Sequence, residues 1–185
     1  MKYLSIDIGF KNLGYALYNT ERETEKDWDK EDNLEFGLFN IDAFVSKNKD
    51  LEIVVERCKV IRMFFERFKI YDYDGVIIER QVNNNVVAMN LMYAITNEAL
   101  NYTDKVIIFA PLLKFNTFGI KYSTKKKEHK VLSVKIAYKL IYTHFKKVFE
   151  AYCSFKKKDD IADAINQLFT TLFQQNLSDI KLEVP

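Results

Sequence analysis

The stretch KYLSIDIGFKNLGYALYN, residues 2–19, decides how the rest of the chain is read. Lys2–Asp7 is a short apolar run with β-branched residues that stops near Gly9, the pattern of a buried strand. Gly14–Asn19 reads as its hairpin partner, with the polar stretch 20–34 as the loop beyond and Glu35–Phe44 as a third strand. The first strand closes on Asp7. A carboxylate at the end of an apolar strand is costly unless it finds partners or emerges at a site.

Outward from this hairpin, the period changes. Asp50–Ile70 places Leu51, Val54, Val55, Cys58, Ile61, Phe65 and Phe68 at helical spacing. Gly75–Glu79 (GVIIE) is a continuous apolar run, the mark of a strand covered on both faces. Asn84 or Asn85 caps a helix running to about Asn101. Lys105–Ala110 (KVIIFA) is a further buried strand, stopped by Pro111. Thr124–Tyr152 reads as one long helix with Val134, Ala137, Ile141, Phe145 and Val148 on one face. Asp159–Gln175 is the last helix, with Ile161, Ile165, Leu168, Leu172 and Phe173 as its stripe. The order β-β-β-α-β-α-β-α-α predicts an α/β fold. Its five-stranded mixed sheet has an antiparallel meander of three strands, then two parallel strands added by right-handed crossovers.

A length of 185 residues suits one domain, residues 1–185, with a sizeable core. Hydrophobic residues at 48% and charged residues at 29% exclude a disordered chain. No apolar run approaches the ~20 residues of a membrane span. The start lacks the apolar core and cleavage site of a secretory signal, so the protein is expected to be intracellular. Cys58 and Cys153 with His129 and His144 do not have the spacing of a zinc site, and both thiols are expected to be reduced and partly buried. The acidic stretch Glu21–Glu35 reads as an exposed turn. The net charge of +2 conceals a block from Lys121 to Lys158 with twelve lysines against two acids, which leaves the remainder with eight net negative charges. Such a block is a footprint for a polyanion, although Lys-rich helices are also commonly just solvated.

Four carboxylates carry the candidate chemistry. With the first and fourth strands parallel and adjacent, Asp7 and Glu79 both project at the carboxyl end of the sheet, where open α/β sheets bind ligands. In KKKDDIADA, residues 156–164, Asp160 and Asp163 lie three apart on one helix face. Asp159 or Asp160 suits an ordinary N-cap, with Asp159 favoured. Asp163 interrupts an apolar and small-residue stretch where Ala would serve the helix better, and such local conflicts are where function is expected. Four acids without thiolate or imidazole select Mg²⁺ or Mn²⁺, and a pair of such ions can hold both sides of a phosphodiester. In STKKKEHK, Lys125, Lys126 and Lys127 crowd a helix start, which the macrodipole disfavours unless phosphate binds there.

SIDIGFKNLG, IIERQ, the Lys-rich helix start and DDIADA, in that order, resemble the RuvC-like Holliday junction resolvases, above all their poxvirus branch, with kinship to the fungal mitochondrial enzymes. The likeness extends from residue 1 to about 175. It implies a ribonuclease H-like fold, a homodimer, and four-way or other branched DNA as partner. It also implies paired nicks that leave 5′-phosphate and 3′-hydroxyl ends, in viral DNA recombination and replication. The host cytoplasm, its viral factories and the virion are the implied locations. By motif, Asp7, Glu79, Asp160 and Asp163 match the catalytic acids and metal ligands, holding two Mg²⁺ or Mn²⁺ ions per site. The functional lysine is expected among Lys125, Lys126, Lys127 and Lys130, with Lys127 or Lys130 favoured. Lys11, Asn12 and Gln81 fall within the motifs and join Lys156, Lys157 and Lys158 as expected DNA contacts.

DIGFKNLG also fits the phosphate turn of actin- and sugar-kinase-like ATP-binding domains, although that fold needs two such domains. A non-catalytic DNA-binding module and a nuclease for RNA–DNA hybrids are further alternatives. The Asn85–Leu100 helix, with Val87, Met89, Leu91, Met92, Tyr93 and Ile95, is apolar over a wide arc and suits either a dimer interface or the core.

Overall fold

The computed structural model describes residues 1–9, 11–20, 33–42, 51–68, 73–82, 85–120 and 126–177, without the side chains of 51–54 and 126. Most of the acidic stretch, Lys125, Asn84 and the end of the expected third strand lie outside these residues. The chain runs β1 (Lys2–Ile8), β2 (Asn12–Asn19), β3 (Leu34–Asn40), α1 (Leu51–Phe68), β4 (Gly75–Glu79) and α2 (Val86–Ala99). It continues with β5 (Val106–Phe109), α3 (Leu113–Thr117), α4 (Lys126–His144), α5 (Lys146–Ser154) and α6 (Asp159–Gln174).

The sheet order is β3-β2-β1-β4-β5. β1 pairs antiparallel with β2 and parallel with β4, as the hairpin and crossover patterns predict. Strand alternation then assigns the faces. Leu4, Ile6, Val76 and Ile78 point to one side, where Val60, Ile61, Phe64 and Phe65 of α1 and Leu91, Met92 and Ile95 of α2 cover them. Tyr3 and Ile77 point to the other, beneath α4, α5 and α6. Asp7 and Glu79 continue the α6-side rows, one step beyond the Ile6–Ile78 pair. Asn85 caps α2, its side chain accepting from the Ala88 amide at 3.2 Å.

Three expectations change. The expected long helix 124–152 breaks at Phe145 (φ −137°, ψ 54°) into α4 and α5. No Gly or Pro marks the break. Phe145 is buried against Tyr18 and Phe169, and the turn there carries Tyr152 and Phe155 onto Phe36. The stretch after Pro111 forms the short α3, anchored by buried Phe115 and Phe118. It ends at Gly119, whose φ of 66° lets the Ile120 amide reach back to the Phe115 carbonyl at 2.9 Å. Finally, Val55, Cys58, Cys153 and Phe173, expected to be at least partly buried, are exposed. In α1 the Phe64–Phe65 pair sets the facing, and the buried stripe lies on Val60, Ile61, Phe64 and Phe65. No helix among the described residues is long and apolar enough to cross a membrane.

Candidate active site

Asp7 leaves β1 on the face that α6 covers, and Gly14 is its cross-strand partner. A Cβ on Gly14 would run into the main-chain carbonyl of Asp160. The bare glycine is therefore what lets the start of α6 settle over the β1–β2 hairpin beside Asp7. Asp160 Oδ2 stands 3.5 Å from where a Cβ on Gly9 would be, so its carboxylate lies by the turn that follows Asp7. One turn along α6, Asp163 faces Glu79 and Asp7 from above. Four elements thus meet at the carboxyl end of the parallel strands, and α3 supplies a fifth group, Lys114.

Lys114 is a candidate functional side chain that sequence reasoning missed. It is only 5% exposed, yet it is a lysine. Its ammonium donates to Asp163 Oδ1 and lies 5.6 Å from the Phe115 ring centroid. Burial alone would lower its pKa. Asp163, then Glu79 and Asp7, outweigh burial and hold the pKa above its usual value. The signal was a lone charge inside the apolar stretch PLLKF, next to the carboxyl end of β5. A helix of five residues is too short to show a period that would announce α3.

The acids respond to one another. Burial first, then the like charges of Glu79 and Asp163, push the Asp7 carboxyl well above its ordinary value against the pull of Lys114. Burial also raises Glu79, opposed by Lys114 and by its hydrogen bond with Asp7. That bond raises Asp7 and lowers Glu79. Gln81 donates to Glu79 Oε2 at 3.0 Å and so fixes the carboxylate rather than pointing away from it.

Among the described residues no group of three or more carboxylate, imidazole or thiolate side chains is spaced to hold a metal ion as it stands. Lys114 pairs with Asp163, and Lys157 lies 2.5 Å from Asp160 Oδ2, so two ammoniums offset part of the negative charge. A cleft of about 230 Å³ opens beside this cluster, lined by Glu79, Lys114, Asp163, Phe115, His129 and Lys130.

The expected lysines take other places. Lys130 bonds to Asp159, tying α4 to the first turn of α6, and that hydrogen bond raises its pKa despite burial. Burial alone would raise Asp159; Lys130 reverses this and draws it below its ordinary value. Asp159 is therefore not the N-cap of α6. Lys158 holds that position without a side-chain cap bond, and Asp159 sits in the first turn, where the helix dipole favours it. Lys127 is exposed at the start of α4, and Lys156 is exposed beyond α5. Lys158 donates to the Phe155 carbonyl just past α5. Lys11 is exposed, and Asn12 opens β2 partly buried. Two further polar residues missed in the sequence, Asn166 and Gln167, are fully or almost fully buried. Gln167 donates to the Ile6 carbonyl at 2.9 Å and locks α6 to β1 just before Asp7.

The fold matches solved structures over nearly all of this chain. The fowlpox virus resolvase bound to Holliday junction DNA aligns at TM-score 0.65 and 18% identity, covering 95% of this chain and 99% of that one. RuvC of Thermus thermophilus aligns at TM-score 0.57 and 15% identity, covering 98% and 99%. The yeast mitochondrial Holliday junction resolvase aligns at TM-score 0.52 and 12% identity, covering 95% and 81%. None of the curated protein sequences matches this chain. The family model described as Poxvirus A22 protein matches residues 1–175, and the chain belongs to that family.

Proposed function

We propose that the chain is a divalent-metal-dependent endonuclease that resolves four-way DNA junctions, working as a homodimer with one nuclease domain per chain. The observation that carries this reading is the convergence of Asp7, Glu79 and Asp163 on the buried ammonium of Lys114, in a cleft at the carboxyl end of parallel strands. Such a cluster does not by itself stabilise a fold, because buried like charges repel. The similar structures, a fowlpox virus resolvase with Holliday junction DNA and a RuvC with its junction substrate, support the same reading.

The donor set suits a hard divalent ion. It consists of carboxylate oxygens with no sulfur or imidazole, and the burial and, after it, the like charges that raise Asp7 and Glu79 are what a bound cation offsets. Asp7, Glu79 and Asp163 would hold Mg²⁺ or Mn²⁺, joined by Asp160 once Lys157 turns to a DNA phosphate. When bound, such ions supply activation of water and stabilisation of charge on phosphorus and the leaving oxygen. Lys114, kept protonated by its neighbours, binds the scissile phosphate and offsets the charge that grows in the transition state. It takes the role expected of Lys127 or Lys130. Gln81 holds Glu79 in its rotamer, and Lys130 and the exposed Lys127 bind DNA backbone at the rim.

Two such sites related by a two-fold axis would nick a symmetric junction in pairs, leaving 5′-phosphate and 3′-hydroxyl ends. A poxviral protein of this kind would work on viral DNA in the host cytoplasm. The test is nicking of a synthetic four-way junction with Mg²⁺, compared with splayed duplex and RNA–DNA hybrid. Asp163→Asn should lower the nicking rate by more than about a hundredfold while leaving junction binding in place. Wild-type turnover by that variant, or preference for hybrid over junction, would sink the reading.

A further inference from the structure

Asp163 accepts two hydrogen bonds among the described residues, and both go to the same oxygen. Lys114 Nζ and Ser133 Oγ each donate to Oδ1, and Oδ2 takes neither. Ser133 lies on α4 and is fully buried, so its hydroxyl does not serve solvent. It receives in turn from Asn166, one turn beyond Asp163 on α6. The Asn166 amide donates to Ser133 Oγ at 2.8 Å and to the Ser133 carbonyl at 2.9 Å.

The direction of this chain is determined. A carbonyl only accepts, so the Asn166 group facing it must be the NH₂ and not the oxygen. A serine hydroxyl has one proton. Since Ser133 Oγ already accepts from Asn166, that proton goes to Asp163. Asn166 also leaves its own Oδ1 buried without a partner. An apolar side chain of similar size would avoid that cost, and a retained local conflict of this sort marks a functional need.

We propose that Ser133 and Asn166 are positioning residues that fix the rotamer of Asp163, saturating Oδ1 and reserving Oδ2 for a divalent cation. This rests on the metal-dependent reading above. Among the described residues, no comparable pair of donors saturates one oxygen of Asp160, which answers only to Lys157. Asp163 is thus the preorganised acid of the α6 pair and Asp160 the adjustable one.

The experiment titrates Mn²⁺ into the DNA-free protein, reading bound ion by electron paramagnetic resonance, and follows junction nicking against Mn²⁺ concentration in parallel. Ser133→Ala should weaken Mn²⁺ binding about ten- to a hundredfold, as loss of an outer hydrogen bond to a ligand does. Excess Mn²⁺ should restore most of its nicking, and junction binding in EDTA should stay at the wild-type level. Asn166→Leu keeps the volume and the serine, and should give a smaller loss in the same direction. Ser133→Thr keeps the hydroxyl and should recover affinity. It also serves in place of Ser133→Ala if that variant does not fold, since wild-type-like binding by Thr beside weakened binding by Asn166→Leu still reads out the relay. Mn²⁺ affinity within twofold of wild type in both folded Ser133→Ala and Asn166→Leu overturns the relay alone, provided that wild type binds Mn²⁺ and Asp163→Asn does not. Failure of the wild type to bind Mn²⁺ overturns the nuclease reading and the relay together.

Discussion

Asp7 shows how a single residue trades stability for a site. Its folded pKa stands above the ordinary 3.8, first through burial and then through Glu79 and Asp163. A raised acid stabilises the fold fully below its unfolded pKa, and that contribution is lost as pH rises through the folded value. In divalent-free buffer, Asp7→Asn should therefore melt higher than wild type, by about 1–3 kcal/mol or several degrees at pH 8. The difference should shrink toward pH 4 in thermal scans. Added Mn²⁺ should reverse the order at pH 8, because only the carboxylate gains from the cation. Lys114→Met should act in the opposite sense. It leaves three acids without their buried cation, so the fold should lose about 3–5 kcal/mol of stability in EDTA, and nicking should drop at saturating Mn²⁺.

At the scale of elements, the site is assembled by how α6 lands on the hairpin. Gly14 is the contact point, because Asp160's main chain occupies the space a side chain would need. Gly14→Ala forces α6 off β2 and should cost about 1–3 kcal/mol by denaturant titration. It should also impair nicking more than junction binding, since Asp160 and Asp163 shift while the exposed lysines stay. Equal loss of both, or none of either, would contradict this role. The short α3 matters for the same reason. Its Gly119 stop and its Phe115 and Phe118 anchors aim Lys114 at Asp163.

At the scale of the whole molecule, the sheet separates two cores. α1 and α2 back one face, and α3 to α6 carry the proposed chemistry on the other. Val86, Tyr93 and Leu100 in and just beyond α2 are exposed while Leu91, Met92 and Ile95 are buried, so the wide apolar arc of this helix serves both the core and the surface. If two chains pair as proposed, mixing wild type with Asp163→Asn should yield dimers with one live site. Junctions treated with the mixture should accumulate as singly nicked, still four-armed species on native gels, where wild type alone gives resolved duplexes.

The amino-acid sequence by itself determined the order of elements along the chain, the hairpin, the crossovers and the positions of four acids, because these are written in local period and in charges set against it. Asp7 after an apolar run and Asp163 inside IADAINQLF are visible without any contact map. Asn166 and Gln167 interrupt the same stretch, but their partners lie 33 and 161 residues away, on α4 and β1. Only tertiary structure brought forward Lys114 as the proposed lysine. Lys125–Lys127 and Lys130 stand out by number in the sequence, whereas Lys114 is one cation among apolar neighbours. Its importance comes from burial beside Asp163, 49 residues on. The break at Phe145 was equally hidden, since no Gly or Pro announces it and the cause is an aromatic pocket built by distant elements. Periodicity reports which face a residue occupies; which oxygen meets which nitrogen across that face is set by packing.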